Sequence, residues 1–287
     1  MKQPPIAIYG LGRWGTSLAL GMLDRGLPLI GVSSRHRRTD LPDALRPFWI
    51  DDPCALAQRA GWIFLTVRDD AITAVAERFA DFPVDWRSRV VLHSSGLHPP
   101  ERLAPLADRG ARVGVLHPLN TFPDPVIGRT RVAGTAYAVV ADPPVQQALV
   151  TFVRSLGGTP HVLPRDLQPV YHLIAVLVAN APVVCAAWGR TLLRQSGLEM
   201  HVPWEAYRPL IEAAARAMVD PEPIRRLTGP WVRHDRSTMQ MHRQWLRRIR
   251  APDERVYREL ARIARRLVAQ YTTGSPPIRM SPTESDT

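Results

Sequence analysis

The stretch Ile6-Ala7-Ile8-Tyr9-Gly10-Leu11-Gly12-Arg13-Trp14-Gly15-Thr16-Ser17-Leu18 decides the fold. Ile6 to Tyr9 reads as a short buried strand, the glycine turn follows at once, and Thr16 to Leu23 continues with helix-compatible residues that end near Gly26. Working outward, Leu27 to Val32, Trp62 to Val67, Val90 to His93 and Arg112 to Leu116 are further strand-like runs, separated by stretches of helical length such as Ala71 to Phe79. Strands alternating with helices predict an α/β fold with a doubly wound parallel sheet and right-handed crossovers. Ala136 to Val140 and His161 to Leu163 add two short strands around the helix-like Val145 to Leu156. After Pro164 only long apolar-periodic segments remain, at Leu167 to Gln195, Trp204 to Met218, Ser237 to Arg250 and Glu254 to Tyr271. The expected organisation is a sheet domain over 1–164, an all-helical domain over 165–272 and a disordered Pro/Ser/Thr-rich tail over 273–287.

Each glycine of the turn has a physical task. Gly10 permits the tight turn, Gly12 lets backbone approach a pyrophosphate, and Gly15 allows helix and strand to pack closely, while the unpaired N–H groups of the helix start attract phosphate. The backbone of Gly10, Leu11, Gly12, Arg13, Trp14 and Gly15 is therefore expected to cradle a dinucleotide. The second strand ends at Ser33-Ser34-Arg35, where an NAD enzyme would carry an acidic residue for the ribose hydroxyls. Two hydroxyls and a guanidinium suit a 2′-phosphate instead, with Arg13 and Arg37 as further cations, so the cofactor expected is NADP.

Ligands in an open parallel sheet collect at the carboxyl ends of the strands. Thr66-Val67-Arg68-Asp69-Asp70 follows one strand, with Asp70 read as the cap of the next helix. His93-Ser94-Ser95-Gly96 and His117-Pro118-Leu119-Asn120-Thr121-Phe122 follow the next two. Thr66, Val67, His93, Ser94 and Ser95 are expected near the cofactor and Asn120 near the substrate. Tyr171 and His172 start a long helix that also carries Asn180, about 12 Å further along a regular helix and roughly 80° around it. Leu227 to Asp235 breaks the helical pattern with Gly229-Pro230, and Asp235 is placed to cap the helix running through His242.

Length and composition bound the rest. The 287 residues, 45% hydrophobic and 22% charged, suit two folded domains and exclude disorder over most of the chain. The formal charge of +11 comes almost entirely from arginine, because Lys2 is the only lysine. That surplus reads as arginine used in place of lysine throughout, so no nucleic-acid partner is expected, and chemistry that needs a buried lysine has no candidate. Asn180 and Pro182 interrupt the apolar stretch from Leu173 to Ala187, so no membrane span is expected. The residues before Ile6 carry no secretory signal, which predicts a cytoplasmic location. Cys54 and Cys185 form neither a disulfide framework nor a metal site, and no metal is expected.

Taken in order, the glycine turn, His93-Ser94-Ser95-Gly96, His117-Pro118-Leu119-Asn120-Thr121-Phe122, Tyr171-His172 with Asn180, and Thr228-Gly229-Pro230-x-x-Arg233-x-Asp235 with His242 resemble one family. It is the poorly characterised group of Rossmann-like reductases whose C-terminal half is a helical domain of unknown function. Their architecture is similar to pyrroline-5-carboxylate reductase, ketopantoate reductase, the hydroxyisobutyrate dehydrogenases and the helical part of 6-phosphogluconate dehydrogenase. The resemblance covers about residues 5 to 270 and implies an NADP-dependent oxidoreductase that dimerises through its helical domains. Two departures stand out. Val176 occupies the position, four before Asn180, of a lysine acid in the ketopantoate and hydroxyisobutyrate enzymes, and His234 stands where relatives carry glycine.

The resulting expectation is hydride transfer from NADPH to a small carbonyl or imine, a keto acid among the substrates considered. His172 is expected as general acid with His117 as its rival, Asn180 would fix the substrate oxygen or nitrogen, and Arg233 would pair with a carboxylate, flanked by Thr228 and Asp235. The rival readings are a sensor that binds NADP without turnover and a nucleic-acid binder that uses the arginine-dense stretch from Arg225 to Arg266.

Overall fold

The computed structural model describes residues 3–36, 38–249 and 253–273. The chain divides into two compact units, Met1–Asn180 and Ala181–Thr287. Arg37 and the tail from residue 274 lie outside the described residues, and Thr273 ends the last helix.

In the first unit the elements run β1 (Ile6–Tyr9), α1 (Arg13–Asp24), β2 (Leu29–Ser33), α2 (Pro53–Arg59), β3 (Trp62–Leu65), α3 (Ile72–Ala80), β4 (Val90–His93), α4 (Ala104–Ala107) and β5 (Arg112–Pro118). They continue as α5 (Pro125–Val132), β6 (Ala136–Ala141), α6 (Pro143–Ser155), β7 (Thr159–Val162) and α7 (Gln168–Ala175). The strands form one sheet in the order β2-β1-β3-β4-β5-β6-β7. Chain direction along the sheet reverses between β1 and β3, which makes the carboxyl ends of these two strands the switch point where α/β sheets bind ligands.

The expected doubly wound sheet is present with one correction: β6 pairs antiparallel with β5, and the other neighbours are parallel. The chain leaves β5, forms α5 and re-enters the sheet from the end at which it left.

Alternating residues of the apolar strands feed two cores, one on each face. Ile6, Ile8, Phe64 and Leu92 pack with Leu18, Met22 and Phe152 on one side. Ala7, Tyr9, Ile63, Leu65 and Val91 pack with Ile72, Phe79 and Trp86 on the other. Burial on both faces explains why these strands read as continuous apolar runs rather than alternating ones. Three short helices passed unnoticed in the sequence, α2, α4 and α5, and α2 and α5 begin on an Asp-Pro pair. Asp52 accepts from the amides of Cys54 and Ala55, and Asp124 from those of Val126 and Ile127, while proline takes the first helical position that needs no N–H.

The compact units part at Asn180 rather than at Pro164 because the start of the long helix remains tied to the sheet unit. Gln168 is buried and its Nε2 donates to the His98 carbonyl at 2.9 Å. The second unit holds α8 (Ala181–Gln195), α9 (Arg208–Met218), α10 (Arg236–Arg248) and α11 (Glu254–Thr273), with no strand among its described residues. Its apolar cavity of about 670 Å3 is lined by Cys185, Leu193, His201, Trp204, Tyr207 and Trp245, among others.

The long segment read from Leu167 to Gln195 forms one helix. Arg165–Gln195 forms a continuous helix of 31 residues, long and apolar enough to cross a membrane by length and composition. Asn180 and Pro182 do not break it, because the π turn Val176–Asn180 lies directly before Pro182 and absorbs the irregularity. The same π turn removes the regular helix on which the 80° separation of His172 and Asn180 was based.

Candidate functional site

At the switch point the glycine turn has the expected form. Gly10 adopts φ +108°, and a Cβ there would lie 2.8 Å from the Thr66 backbone. A Cβ on Gly15 would lie 2.0 Å from the Gly10 carbonyl oxygen and 2.4 Å from Thr66 Oγ1, so helix and strand touch through backbone. Thr66 closes the seam by donating to that carbonyl at 2.6 Å. Nothing lies within 4 Å of the Cβ position of Gly12, and the N-terminus of α1 has neither a side-chain cap nor an acidic residue in its first turn. An open glycine beneath an uncapped helix start is the cradle a pyrophosphate requires, and the residues present fit a dinucleotide. Leu11 is buried, so only its backbone is available.

The end of β2 differs from expectation in two residues. Ser33 is fully buried and its hydroxyl has no partner, so this side chain does not face a ligand. Its carbonyl instead accepts from Gly10 N at 2.8 Å and ties the two turns together. Ser34 donates to the His36 carbonyl at 2.6 Å, and Arg35 is exposed without an ion-pair partner among the described residues. Arg38, which sequence reasoning passed over, donates Nη1 to the Leu11 carbonyl and pairs with Asp40, whose carboxylate raises the guanidinium above its usual range. Arg38, Arg46 and Trp49 line a hollow of about 310 Å3.

Two expected ligand contacts in the β4 loop serve the loop itself. His93 is fully buried: its Nδ1 accepts from Ser95 N at 3.2 Å and its Nε2 donates to the Pro99 carbonyl at 3.1 Å, which leaves no ring nitrogen for a cofactor. Burial drives its pKa down to about 4. The Ser95 hydroxyl donates to Asp69 at 2.8 Å and accepts from the amides of Leu97 and His98. Asp69 thus ties the loop after β3 to the loop after β4. Asp70 caps no helix, and its carboxylate pairs with Arg68 at 2.8 Å. Ser94 accepts from Trp14 Nε1 at 3.0 Å, a direct link between the glycine-turn helix and the histidine loop. Val67 flanks Gly10, with Cγ1 3.0 Å from the position a Cβ would take.

Beside that link lie three aromatic groups. The Tyr171 hydroxyl and His117 Nδ1 share a hydrogen bond of 3.0 Å, with the rings edge to face at 5.5 Å. His172 stands 6.3 Å from His117 between ring centres, and Gly96 separates them: a Cβ on Gly96 would lie 2.8 Å from His117 Nε2 and 2.9 Å from His172 Cδ2. Burial first, then the nearby His172, lowers the His117 pKa to about 4, while burial pushes Tyr171 up to about 12. At neutral pH the pair is therefore a neutral imidazole and a neutral phenol. The phenol proton has no other acceptor among the described residues, so Tyr171 donates to Nδ1 and the His117 proton sits on Nε2. Its lowered pKa favours the neutral His117 ring near pH 7.

Asn180 is exposed at the end of the π turn and hydrogen-bonds to no described side chain. Asn120 is turned to structural work, donating Nδ2 to Thr135 at 2.8 Å and accepting from Thr121 N. In the second unit Asp235 caps α10 as expected, accepting from Thr238 N, Thr238 Oγ1 and Ser237 Oγ, which hold its carboxyl near 2. Those bonds occupy it, so a substrate contact for Asp235 is not supported, whereas Thr228 and Arg233 are exposed. His234 takes φ +56°, the left-handed backbone that the glycine of its relatives would adopt without strain.

Buried His93 and half-buried His117, both with lowered pKa, make stability depend on pH. Above about pH 6.5 both folded and unfolded forms are neutral; below it the unfolded chain binds protons that the native rings refuse until about pH 4. Stability should fall by roughly 3 kcal/mol per histidine as pH drops from 7 to 4. Urea midpoints across that range check the trend, and an NMR titration with both rings changing charge near 6.5 would refute it.

Residues 135–264 match the family model described as Domain of unknown function (DUF2520). No curated protein matches the sequence. Among solved structures, a Bacteroides fragilis protein described as an NADP oxidoreductase superposes with a TM-score of 0.73 at 20% identity, covering 92% of this chain and 99% of its own. Protein TM1727 from Thermotoga maritima gives 0.67 at 19% identity over 93% and 99%. Streptomyces aurantiacus imine reductase gives 0.62 at 16% identity over 91% and 93%. At such identities the likeness is one of fold, and it extends over both units of the chain.

Proposed function

We propose that this chain is an NADPH-dependent reductase that transfers hydride to a small carbonyl or imine carbon, and that it works as a homodimer. The observation that carries this reading is the Trp14–Ser94 hydrogen bond, which couples the glycine turn to the strand-end loop containing Gly96, beside His117, Tyr171 and His172. Resemblance in fold to an imine reductase supports the reaction class.

The α1 N-terminus and the backbone of Gly10 to Gly15 would hold the pyrophosphate, with Ser34 and Arg35 at the 2′-phosphate. NADPH, when bound, supplies the hydride. His117, neutral and oriented by Tyr171, offers its Nε2 proton as a hydrogen-bond donor to the substrate oxygen or nitrogen. His172 delivers the proton that completes reduction, and Asn180 orients the substrate oxygen or nitrogen.

The dimer is supported by the unpartnered helix Arg165–Gln195. Leu173, Ile174, Leu177, Val178, Val183 and Val184 are each more than half exposed, too much contiguous apolar surface for water. A bilayer would fit the same composition, but Gln168 and Tyr171 fasten this helix to His98 and His117 of the sheet unit. A second copy therefore covers it.

Oxidation of NADPH across a panel of cyclic imines and 2-keto acids tests the activity. His172→Gln should lower turnover roughly 10² to 10⁴-fold with cofactor affinity unchanged. Tight NADPH binding without oxidation of any panel member would replace the reductase by a sensor. NADPH should bind at least about tenfold more tightly than NADH, and Arg35→Ala should remove most of the difference, since a charge-assisted phosphate contact is worth about 1.5–3 kcal/mol. Equal affinities in the native protein would sink the cofactor assignment. Light scattering at tens of micromolar should give twice the chain mass, and Leu177→Glu with Val184→Glu should halve it; a native monomer would count against the dimer.

A further inference from the structure

Residues 236 to 266 hold ten arginines against Asp253, Glu254 and Glu259, a surplus of seven in a chain whose whole formal charge is +11. Much of the net charge is thus local, although arginine replaces lysine along the whole chain. Arg236, Arg243 and Arg247 follow one another at helical spacing on α10, as do Arg258 and Arg265 on α11, and the five line a single cavity of about 470 Å3. Buried Met239 and Ala261 also line it, together with the polar Gln240 and Gln244.

Carboxylates do not balance these cations. Glu254 pairs with Arg243 and reaches Arg247 at 3.5 Å through the same oxygen. Glu259 stands 3.8 Å from Arg258 and 2.7 Å from Arg262. Arg236 and Arg265 have no carboxylate partner among the described residues. Five guanidiniums around one cavity repel one another, and each keeps unused N–H donors in the fork geometry that matches phosphate oxygens.

We propose that the cleft between α10 and α11 binds a linear polyphosphate anion, either free or as the triphosphate of a nucleotide. A single phosphate would leave most of the cations unmatched, whereas a chain of three spreads its charge over both walls. A cavity of this volume lies in the range of small-ligand pockets, and arginines along both helices of a half-open cleft suit a compact anion.

Isothermal titration of the full chain with inorganic tripolyphosphate tests the site. Binding should occur at micromolar concentration, with orthophosphate at least about tenfold weaker. The double variant Arg236→Gln, Arg265→Gln removes the two unpaired cations without touching a salt bridge, and should weaken tripolyphosphate at least tenfold with helix content and melting temperature unchanged. ATP tighter than tripolyphosphate would identify a nucleotide, and equal affinity the phosphate chain alone; both support the site. Absence of binding at millimolar tripolyphosphate overturns the proposal, as does binding that the double variant leaves intact, which would place the anion at another locus such as the glycine turn. Duplex DNA held as tightly as tripolyphosphate and released by the same double variant would overturn it in favour of a nucleic-acid surface.

Discussion

The contact of α1 with β1 and β3, backbone against backbone, is the constraint from which the rest of the site follows. Because Gly15 has no side chain, its helix can start within touching distance of the Gly10 carbonyl, and Thr66 spans the remaining gap with its hydroxyl. That closeness keeps α1 at the sheet and brings Trp14 within reach of Ser94. Further along the same helix the pattern recurs. Gly21 leaves just the room that Val132 fills, and Ser17 lies against Gly128, so α5 docks as tightly as the strand does. A single methyl group at Gly10 or Gly15 would meet backbone, and so would move an element rather than a side chain.

The sheet unit was legible in the sequence because its signals are strong and short-range: apolar runs of strand length, a glycine turn between strand and helix, and turn residues between repeats. What escaped was whatever depends on partners distant in sequence. The Asp-Pro starts of α2 and α5 were visible, but each helix is short and weakly periodic, so no apolar face announced it. The reversed direction of β6 is a matter of strand pairing, and an apolar run of strand length reads the same in either direction. Asn180 and Pro182 looked like interruptions, yet a π turn carried the helix through them.

The site was legible in composition and not in roles. His93 and His117 both end strands and are followed by short loops, and in the sequence they are equivalent. Burial and partners separate them: one ring is spent on a backbone carbonyl and an amide, while the other retains a nitrogen beside Gly96. Ser95 and Asp235 were plausible ligand contacts because they are small and polar, and the same property lets them close local turns. Asp69 and Arg38 needed the fold to be noticed, since each acts on a residue more than twenty positions away.

The antiparallel pairing of β5 with β6 bears on how such a protein could have been assembled over evolution. The match to the domain of unknown function begins at residue 135, one position before β6, yet β6 and β7 complete the sheet begun by β1 to β5. Val115 and Leu116 are buried in register with Val139 and Val140 across this border. A recombination event that replaced the chain from residue 135 onward would therefore cut through a hydrogen-bonded ladder and uncover core on both sides. Strand pairing, rather than any reaction the protein performs, is what binds the two stretches together.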